Sequence, residues 1–363
     1  MVTAADSQWM ARALRLAERG LYSTSPNPRV GCVLVKDGAW LADGWHERAG
    51  EPHAEIHALR AAGDRARGAT VYVTLEPCSH HGRTPPCADA LINAGVARVV
   101  AAVQDPNPQV AGQGLKKLHA AGIEVECGLM EMAARELNIG FFARMARGTP
   151  WVRSKIAASL DGRTALASGA SKWITSEAAR QDVQHWRARS CAVLTGIGTV
   201  MADDPQLNVR GIETLRQPLR VVVDNALRLP PDARLLQQPG ALIYTAVTDA
   251  KKTSALEQAG VQVVALPGEN GRVDLPGVLR DLAGRGCNEI LVEAGSKLNG
   301  ALLQAGLVDE LVLYLAPQML GDMARGMASL GELTNLDQRI SLEWKDVRHV
   351  GKDLRIVSTV RKG

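Results

Sequence analysis

The sequence has few aromatic residues and no long hydrophobic run. Two Phe and four Tyr accompany seven Trp in 363 residues, so a surface that stacks nucleic-acid bases would depend mainly on tryptophan. No apolar stretch approaches the roughly 18 residues that a membrane-spanning helix needs. Residues 1–20 carry helically spaced apolar residues rather than a secretion-signal core. We therefore expect a cytoplasmic protein whose partners include neither nucleic acid nor membrane.

Neither sign of charge dominates the sequence. The 42 basic and 38 acidic residues give a net charge of +4 and are mixed along the chain, without the basic tail or patch that nucleic-acid-binding proteins use. A small anionic substrate fits this balance better than a polymer does. We also expect a homo-oligomer, although no sequence feature specifies its size.

Five of the six cysteines fall into two groups. Cys32, Cys127 and Cys191 lie in or beside apolar segments, so we expect them to be buried small hydrophobic residues. Disulfides are not expected in a cytoplasmic chain of this length. Cys78 and Cys87 differ because the loop between them contains histidines, which makes this pair a candidate for metal chemistry.

Length and hydrophobic pattern predict two domains. A chain of 363 residues is long for one domain, and helix and strand patterns alternate along both halves. The short segment 145–150, which carries a glycine and a proline, is the best boundary, so we predict domains at residues 1–147 and 148–363. The alternation predicts a three-layer α/β/α first domain and a second α/β domain with many strands.

The strongest chemical signal joins His53-Ala54-Glu55 to Pro77-Cys78 and Cys87. One imidazole and two thiolates make a three-ligand zinc set that leaves a fourth position for water, as catalytic zinc sites require. Glu55 is two residues beyond His53, where it can move protons without being a ligand. This arrangement is typical of zinc deaminases that act on pyrimidine-like rings. The sequence therefore predicts a zinc site formed by His53, Cys78 and Cys87, with Glu55 as the catalytic acid/base.

Other interpretations of this pattern remain open from the residues alone. A lone His-x-Glu motif has little predictive value. A structural zinc site and the absence of any metal are alternatives to a catalytic zinc site. The same zinc core also occurs in enzymes that act on RNA or free nucleosides, and a zinc-stabilised binding module would make Glu55 incidental. The modest charge and the entire second domain argue against a nucleic-acid substrate.

The spacing of the cysteines departs from the usual deaminase pattern, since eight residues rather than two separate Cys78 from Cys87. This long loop, together with segments 26–31 (PNPRVG) and 50–55 (GEPHAE), resembles the bifunctional riboflavin-biosynthesis deaminase/reductase family, and the similarity extends over essentially the whole chain. The resemblance implies a cytidine-deaminase-like first domain. It also implies hydrolytic removal of the 2-amino group from a diaminopyrimidinone that carries a ribosylamino 5-phosphate.

Two residues of the first domain are candidate substrate contacts. Asn27 lies between two prolines that stiffen its loop and can bind polar edges of the ring, with His46 as a possible assistant. Arg83 belongs to the extended loop, where with His80 and His81 it supplies donors for a phosphate. Turn formation by Asn27 and simple solvation of Arg83 are the alternatives.

The second domain lacks a Rossmann fingerprint, because Met201 occupies the third glycine position of the motif that begins at Gly196. The turn after Glu293 is more informative, because its glycines leave backbone N–H groups free for a phosphate of a dinucleotide. Segments 159–165, 195–210 and 293–311 resemble the reductase half of the same family. The resemblance implies a dihydrofolate-reductase-like fold and NADPH-dependent hydride delivery to C1 of the ribosyl group.

The resemblance also assigns contacts residue by residue. The implied NADPH contacts are Ala157, Trp173, Thr199, Asp203, Asn225, Gly295, Ser296, Lys297, Leu298, Asn299, Gly300 and Ala301. The implied substrate contacts are Ser171, Arg187, Leu207, Arg210 and Glu293, of which the arginines suit a phosphate. Asn225 lies in a loop with little shared sequence. Lys155 and Glu293 are both candidates to protonate or stabilise the imine-like intermediate.

Overall fold

A computed structural model describes residues 3–79, 85–108 and 110–361. The chain divides into two compact units, Met1–Gly148 and Thr149–Gly363, and each is described by itself. Within the described residues no helix is long and apolar enough to cross a membrane.

The first unit contains six α-helices and five strands among its described residues. The helices are α1 Ala4–Glu18, α2 Ala54–Ala62, α3 Cys87–Ala94, α4 Gln113–Ala120, α5 Glu131–Leu137 and α6 Ile139–Arg147, and the strands are β1 Gly31–Lys36, β2 Ala39–Trp45, β3 Thr70–Val73, β4 Arg98–Ala101 and β5 Glu124–Cys127. The strands form one sheet in the order β2-β1-β3-β4-β5. The pairs β1–β2 and β1–β3 are antiparallel, while β3–β4 and β4–β5 are parallel.

Local sequence signals explain several of these bounds. Asp37 and Gly38 both have positive φ and close the β1–β2 hairpin, as expected for a two-residue Asp-Gly turn. Gly95 ends α3 in the left-handed conformation, and Pro86 precedes its first residue, so the proline-before and glycine-after arrangement holds.

Two glycines place helices on opposite faces of the first sheet. A Cβ on Gly31 would lie 2.0 Å from the Ala13 oxygen of α1, and a Cβ on Gly44 would lie 2.7 Å from the Ala54 oxygen of α2. Gly44 pairs with Cys32, the neighbour of Gly31, so Gly31 and Gly44 face opposite sides of the sheet. The predicted three-layer α/β/α architecture is confirmed.

The second unit is also α/β, as predicted. Its described strands are β6 Trp151–Ser159, β7 Arg163–Ala165, β8 Ala192–Gly196, β9 Leu219–Val223, β10 Ala241–Thr245, β11 Gln262–Ala265, β12 Glu289–Val292, β13 Glu310–Ala316, β14 Arg325–Gly326, β15 Leu342–Val350 and β16 Asp353–Val360. Its described α-helices are α7 Glu177–Arg189, α8 Ile197–Asp203, α9 Ala250–Gln258, α10 Leu275–Gly284 and α11 Ser296–Gln304.

Nine of these strands form a mostly parallel sheet in the order β11-β10-β9-β8-β12-β6-β13-β16-β15. The central strands β8, β10 and β12 are almost continuously buried, as strands covered on both faces must be. After β8 the chain continues to β9, on one side of β8 in the sheet. After β12 it continues to β13, which lies on the opposite side of β12. The carboxyl ends of β8 and β12 therefore border the kind of crevice in which open α/β sheets bind ligands.

One sequence-based expectation needs correction. Cys127 at the end of β5 is exposed, whereas Cys32 and Cys191 are buried as predicted; the short edge strand β5 leaves its last residue uncovered. The edge strand β15 is largely exposed on both faces. A strand without a buried face lacks the alternation that reveals strands in sequence.

Candidate active sites

The three predicted zinc ligands lie together in the first unit. The ligand atoms of His53, Cys78 and Cys87 all lie within 4.8 Å of one another. His53 Nδ1 is 3.3 Å from the Cys87 sulfur and 3.7 Å from the Cys78 sulfur. His53 is the residue directly before α2, Cys87 is the first residue of α3, and Cys78 lies in the loop that follows β3.

These distances suit a shared metal ion. Zinc bonded to nitrogen at about 2.1 Å and to sulfur at about 2.3 Å in tetrahedral geometry separates such ligands by about 3.6 Å. The backbone N–H of Cys87 also donates to the Cys78 sulfur at 3.3 Å, which favours the thiolate. Hydrogen bonding to Cys87 and the nearby His53 lower the pKa of Cys78 to about 4, even though burial opposes this shift. The residues present therefore fit a zinc ion.

Glu55 lies in the first turn of α2, and its side chain is buried. Burial raises the pKa of Glu55 to about 6, although the positive charge of His53 opposes the shift. A carboxyl group with a pKa near neutrality can both accept and donate a proton during one reaction. Glu55 therefore has the position and the protonation behaviour that a proton shuttle beside the ligand cluster requires.

Asn27 reaches the same site through His46. The Pro52 carbonyl only accepts, so its 3.1 Å contact with His46 Nδ1 places the imidazole proton on Nδ1. His46 Nε2 must then accept from the Asn27 amide nitrogen 3.1 Å away. Burial lowers the pKa of His46, which keeps this ring neutral. The rings of His46 and His53 meet edge to face at 5.2 Å, so Asn27 is held beside the ligand cluster with its carbonyl oxygen still available.

Arg83, predicted to bind substrate, lies outside the described residues, as do His80 and His81. Its role stays a prediction.

The second unit contains a large cleft at the carboxyl ends of its parallel strands. The cleft has a volume of about 1800 Å³. The turns that follow β8 and β12 meet in it: a Cβ on Gly196 would lie 3.3 Å from Leu298, and one on Gly295 would lie 3.9 Å from Thr199. The first turns of α8 and α11 are thus adjacent, and α11 begins without a side-chain cap. Free N–H groups at such a helix start are suited to phosphate.

Most of the predicted reductase contacts line this cleft. They are Ala157, Ser171, Trp173, Arg187, Thr199, Asp203, Leu207, Arg210, Asn225, Glu293, Gly295, Ser296, Lys297, Leu298 and Ala301. Asn299 and Gly300 are not among the lining residues. The Asn299 amide donates to the carbonyl oxygens of Ala294 and Met327 and accepts from Ser154, and a Cβ on Gly300 would overlap the Ser329 backbone at 2.1 Å. In this structure both residues pack α11 against its own unit.

A charged network occupies one wall of the cleft. The Arg187 guanidinium donates to both Glu293 oxygens at 2.6 and 2.9 Å and to the Asn208 carbonyl at 3.0 Å. Burial alone would raise the pKa of Glu293, but Arg187 and the more distant Lys155 hold it at about 2. Burial, together with the charge of Arg187, lowers the pKa of Lys155. Glu293 is therefore ionised near neutral pH. Lys155 loses its proton more easily than an ordinary lysine does.

Of the cleft arginines that sequence reasoning did not select, three follow parallel strands of the sheet. They are Arg228, Arg234 and Arg272, and no carboxylate in the described part of the chain forms an ion pair with them. Each follows β9 or β11, and the Asn225 side chain joins the two loops by accepting from the Val273 N–H at 3.1 Å. The rule that ligands bind beyond the carboxyl ends of parallel strands was the signal that could have identified them.

Comparison with known proteins assigns each unit to the class that its sequence predicted. Residues 3–103 match the cytidine and deoxycytidylate deaminase zinc-binding region, and residues 150–356 match the RibD C-terminal domain. The first unit is therefore a zinc-type deaminase domain, joined to a reductase domain.

Similarity extends along the whole chain. Riboflavin biosynthesis protein RibD of Escherichia coli (strain K12) is 54% identical over 361 residues, which cover 96% of this chain and 98% of that protein. RibD of Acinetobacter baumannii, in one of its solved forms, matches with a TM-score of 0.93 at 48% identity and covers 99% of both chains. A deaminase/reductase from Thermotoga maritima matches with a TM-score of 0.88 at 33% identity and covers 98% of this chain and 99% of its own. The chain belongs to the RibD family of bifunctional deaminase/reductases of riboflavin biosynthesis, as the sequence predicted.

Proposed function

We propose that the chain deaminates 2,5-diamino-6-(5-phosphoribosylamino)pyrimidin-4(3H)-one with zinc and then reduces the ribosyl group of the product to ribityl with NADPH. One observation carries the proposal: a His53-Cys78-Cys87 cluster beside the buried Glu55 occurs in the same chain as a cleft that holds Lys155 and the Arg187–Glu293 pair. The Thermotoga maritima relative, 33% identical along nearly its whole length, carries the names of both activities.

In the deaminase unit, zinc would supply a water nucleophile near neutral pH. Glu55 takes one proton from the water that attacks C2 of the ring and delivers it to a ring nitrogen. It then takes the remaining proton from the hydroxyl group of the adduct and delivers it to the departing amino group. Water is thereby consumed, a carbonyl replaces the amine, and ammonia leaves. Asn27 offers its carbonyl oxygen to an N–H at the ring edge, because its amide nitrogen is committed to His46.

In the reductase unit, a nicotinamide dinucleotide would supply hydride to C1 of the ring-opened imine. Lys155 is the proposed proton donor, because its lowered pKa eases proton release. Glu293, held ionised by Arg187, stabilises the positive charge of the protonated imine instead. Three of the five Arg187 N–H groups already have acceptors in Glu293 and Asn208, so Arg210 is the better phosphate ligand of the two arginines.

The choice of NADPH is supported by charge. The adjacent helix starts of α8 and α11 suit a pyrophosphate, and unpaired Arg228, Arg234 and Arg272 suit the additional phosphate that distinguishes NADPH from NADH. We expect replacement of Arg228 and Arg272 by alanine to reduce the preference for NADPH by about tenfold or more. Steady-state KM values for the two cofactors measure this directly, and an unchanged ratio would refute the assignment.

The whole proposal is tested with the purified full chain and the diaminopyrimidinone phosphate. Ammonia should appear without NADPH, and NADPH should be oxidised only after or together with ammonia release. Elemental analysis should find one zinc per chain, which Cys87→Ala loses. Ammonia release from cytidine or tRNA instead of this substrate, or from a chain that contains no zinc, would contradict the proposal.

A further inference from the structure

Glu76 is a buried carboxylate that accepts hydrogen bonds from four backbone N–H groups. One oxygen accepts from Asp105 at 3.1 Å and Gly112 at 2.9 Å, and the other accepts from Gly114 at 2.9 Å and Leu115 at 3.3 Å. Only 3% of the residue is exposed. The donors from 112 to 115 belong to the start of α4, where unpaired N–H groups and the helix dipole favour a negative charge. Glu76 therefore acts as the cap that α4 lacks in its own sequence.

The residue after Glu76 rests on the same helix turn. A Cβ on Gly114 would lie 1.9 Å from the carbonyl oxygen of Pro77, so this contact exists only because position 114 has no side chain. The Glu76 carboxylate and the Pro77 carbonyl thus fix two consecutive residues against the first turn of α4.

The next residue is the ligand Cys78, which is held from its other side by α3. Its sulfur accepts from the Cys87 N–H at 3.3 Å and its carbonyl accepts from the Ala88 N–H at 3.1 Å. The position of this sulfur is therefore determined by α4 through Glu76 and Pro77, and by α3 through the second cysteine ligand.

We propose that Glu76 is a positioning residue of the metal centre, whose carboxylate sets the place of the Cys78 sulfur relative to His53 Nδ1 and the Cys87 sulfur. The inference rests on the proposed zinc site and assigns Glu76 no contact with metal or substrate. Glu76→Gln leaves one acceptor oxygen and turns an NH₂ group toward backbone donors, so residues 76–78 must shift. Loss of a group that orients a ligand typically lowers metal affinity about 10- to 100-fold.

Three variants of the full chain separate positioning from plain stability. Glu76→Gln removes the acceptor, and Gly114→Ala moves Pro77 without altering the carboxylate. Asp6→Asn is the matched control, because Asp6 is a similarly buried carboxylate of the first unit, bonded to Tyr72 and Arg98 rather than to the ligand loop. Glu76→Asp, which keeps the charge on a shorter side chain, replaces Glu76→Gln if the latter does not fold.

The readouts are the zinc Kd by chelator competition well below the unfolding temperature, the visible spectrum of the cobalt-substituted protein, and kcat and KM for deamination. Both Glu76→Gln and Gly114→Ala should weaken zinc binding about 10- to 100-fold, shift the cobalt spectrum and lower kcat more than they raise KM. Asp6→Asn should lose stability yet keep the parental Kd and spectrum. Parental Kd and spectrum in folded Glu76 variants, or an equal loss of affinity in Asp6→Asn, would overturn the inference. A parent chain without zinc would instead refute the proposed function.

Discussion

The two candidate sites are built in opposite ways. The deaminase site is compact: His53, Cys78 and Cys87 converge within 4.8 Å, with Glu55 buried beside them. The reductase site is an open cleft of about 1800 Å³ whose lining comes from segments spread between residues 155 and 331. Chemistry that needs a metal and one proton carrier can be encoded in two short motifs, whereas holding a dinucleotide and a sugar phosphate together requires a surface contributed by many loops. A single change should therefore damage the first site more than the second.

The largest effect is expected from Glu55→Gln. The amide keeps the size of the side chain but cannot carry a proton, so deamination should fall by about 10²–10⁴-fold. Zinc content, and NADPH-dependent reduction of the already deaminated intermediate, should persist. The control is Glu51→Gln, a partly exposed carboxylate four residues earlier, which should deaminate at the parental rate. If Glu55→Gln deaminates within about tenfold of the parental rate, the loss of rate is smaller than acid–base catalysis usually gives, and Glu55 is not the proton shuttle. If the variant loses zinc, Glu55 is a metal ligand.

A smaller effect, on stability, is expected at the charged wall of the cleft. Arg187 holds the pKa of Glu293 at about 2, below the usual glutamate value near 4.5. A depressed pKa means that the ionised pair stabilises the folded unit above the unfolded pKa, and that this stabilisation is lost as pH falls toward 2. The shift corresponds to a contribution on the order of 3 kcal/mol at neutral pH.

Glu293→Gln should therefore be less stable than the parent at pH 7, and the difference should shrink as the pH is lowered from about 4.5 toward 2. Hydrogen exchange of the β8 and β12 amides in the full chain reports the free energy of opening of this unit. Asp337→Asn, which alters an exposed carboxylate, should match the parent throughout. A constant difference between parent and Glu293→Gln across this pH range would show that the pair contributes no pH-dependent stability.

The smallest effect is expected from Arg210→Ala. Arg210 is exposed in the cleft, and its side chain is bonded to Gln206 and Asn208. Because several other cations line the cleft, its loss should lower kcat/KM of the reduction by only about 10- to 100-fold and leave deamination unchanged. Arg348→Ala, on the edge strand β15, is the control. Equal loss of both activities in a folded Arg210 variant would contradict the division of chemistry between the two units.

The sequence predicted the compact site more completely than the cleft. His53, Glu55 and Cys87 lie in short motifs at helix starts, where the position of a residue in the motif nearly determines where its side chain points. The cleft depends on which face of each loop and helix points inward, and no motif specifies that. Asn299 and Gly300 show this limit: both belong to the glycine-rich turn and helix selected from the sequence, yet they face the interior of the unit.

Strands differ in the same way in how clearly the sequence marks them. Central strands such as β8 and β12 are recognisable as continuous apolar runs because both faces are covered. The edge strand β15 is recruited by pairing with β16 rather than by burial, so its residues carry no apolar pattern. Glu76 carries no such signal, because its hydrogen bonds go to the backbone N–H groups of Asp105 and of the start of α4, and backbone groups do not depend on residue type.

Gly44, which brings α2 against the sheet, has a consequence for mutational tolerance. Any Cβ at this position would meet the Cβ of His57 at 2.6 Å and the Ala54 carbonyl at 2.7 Å, and neither neighbour can move without moving α2. His53 and Glu55 belong to that helix start, so a substitution in a hairpin that touches neither ligand nor substrate would displace both. Deep mutational scanning should therefore find position 44 as restricted as the ligands themselves, while the exposed positions Ala39 and Trp40 of the same hairpin accept many changes.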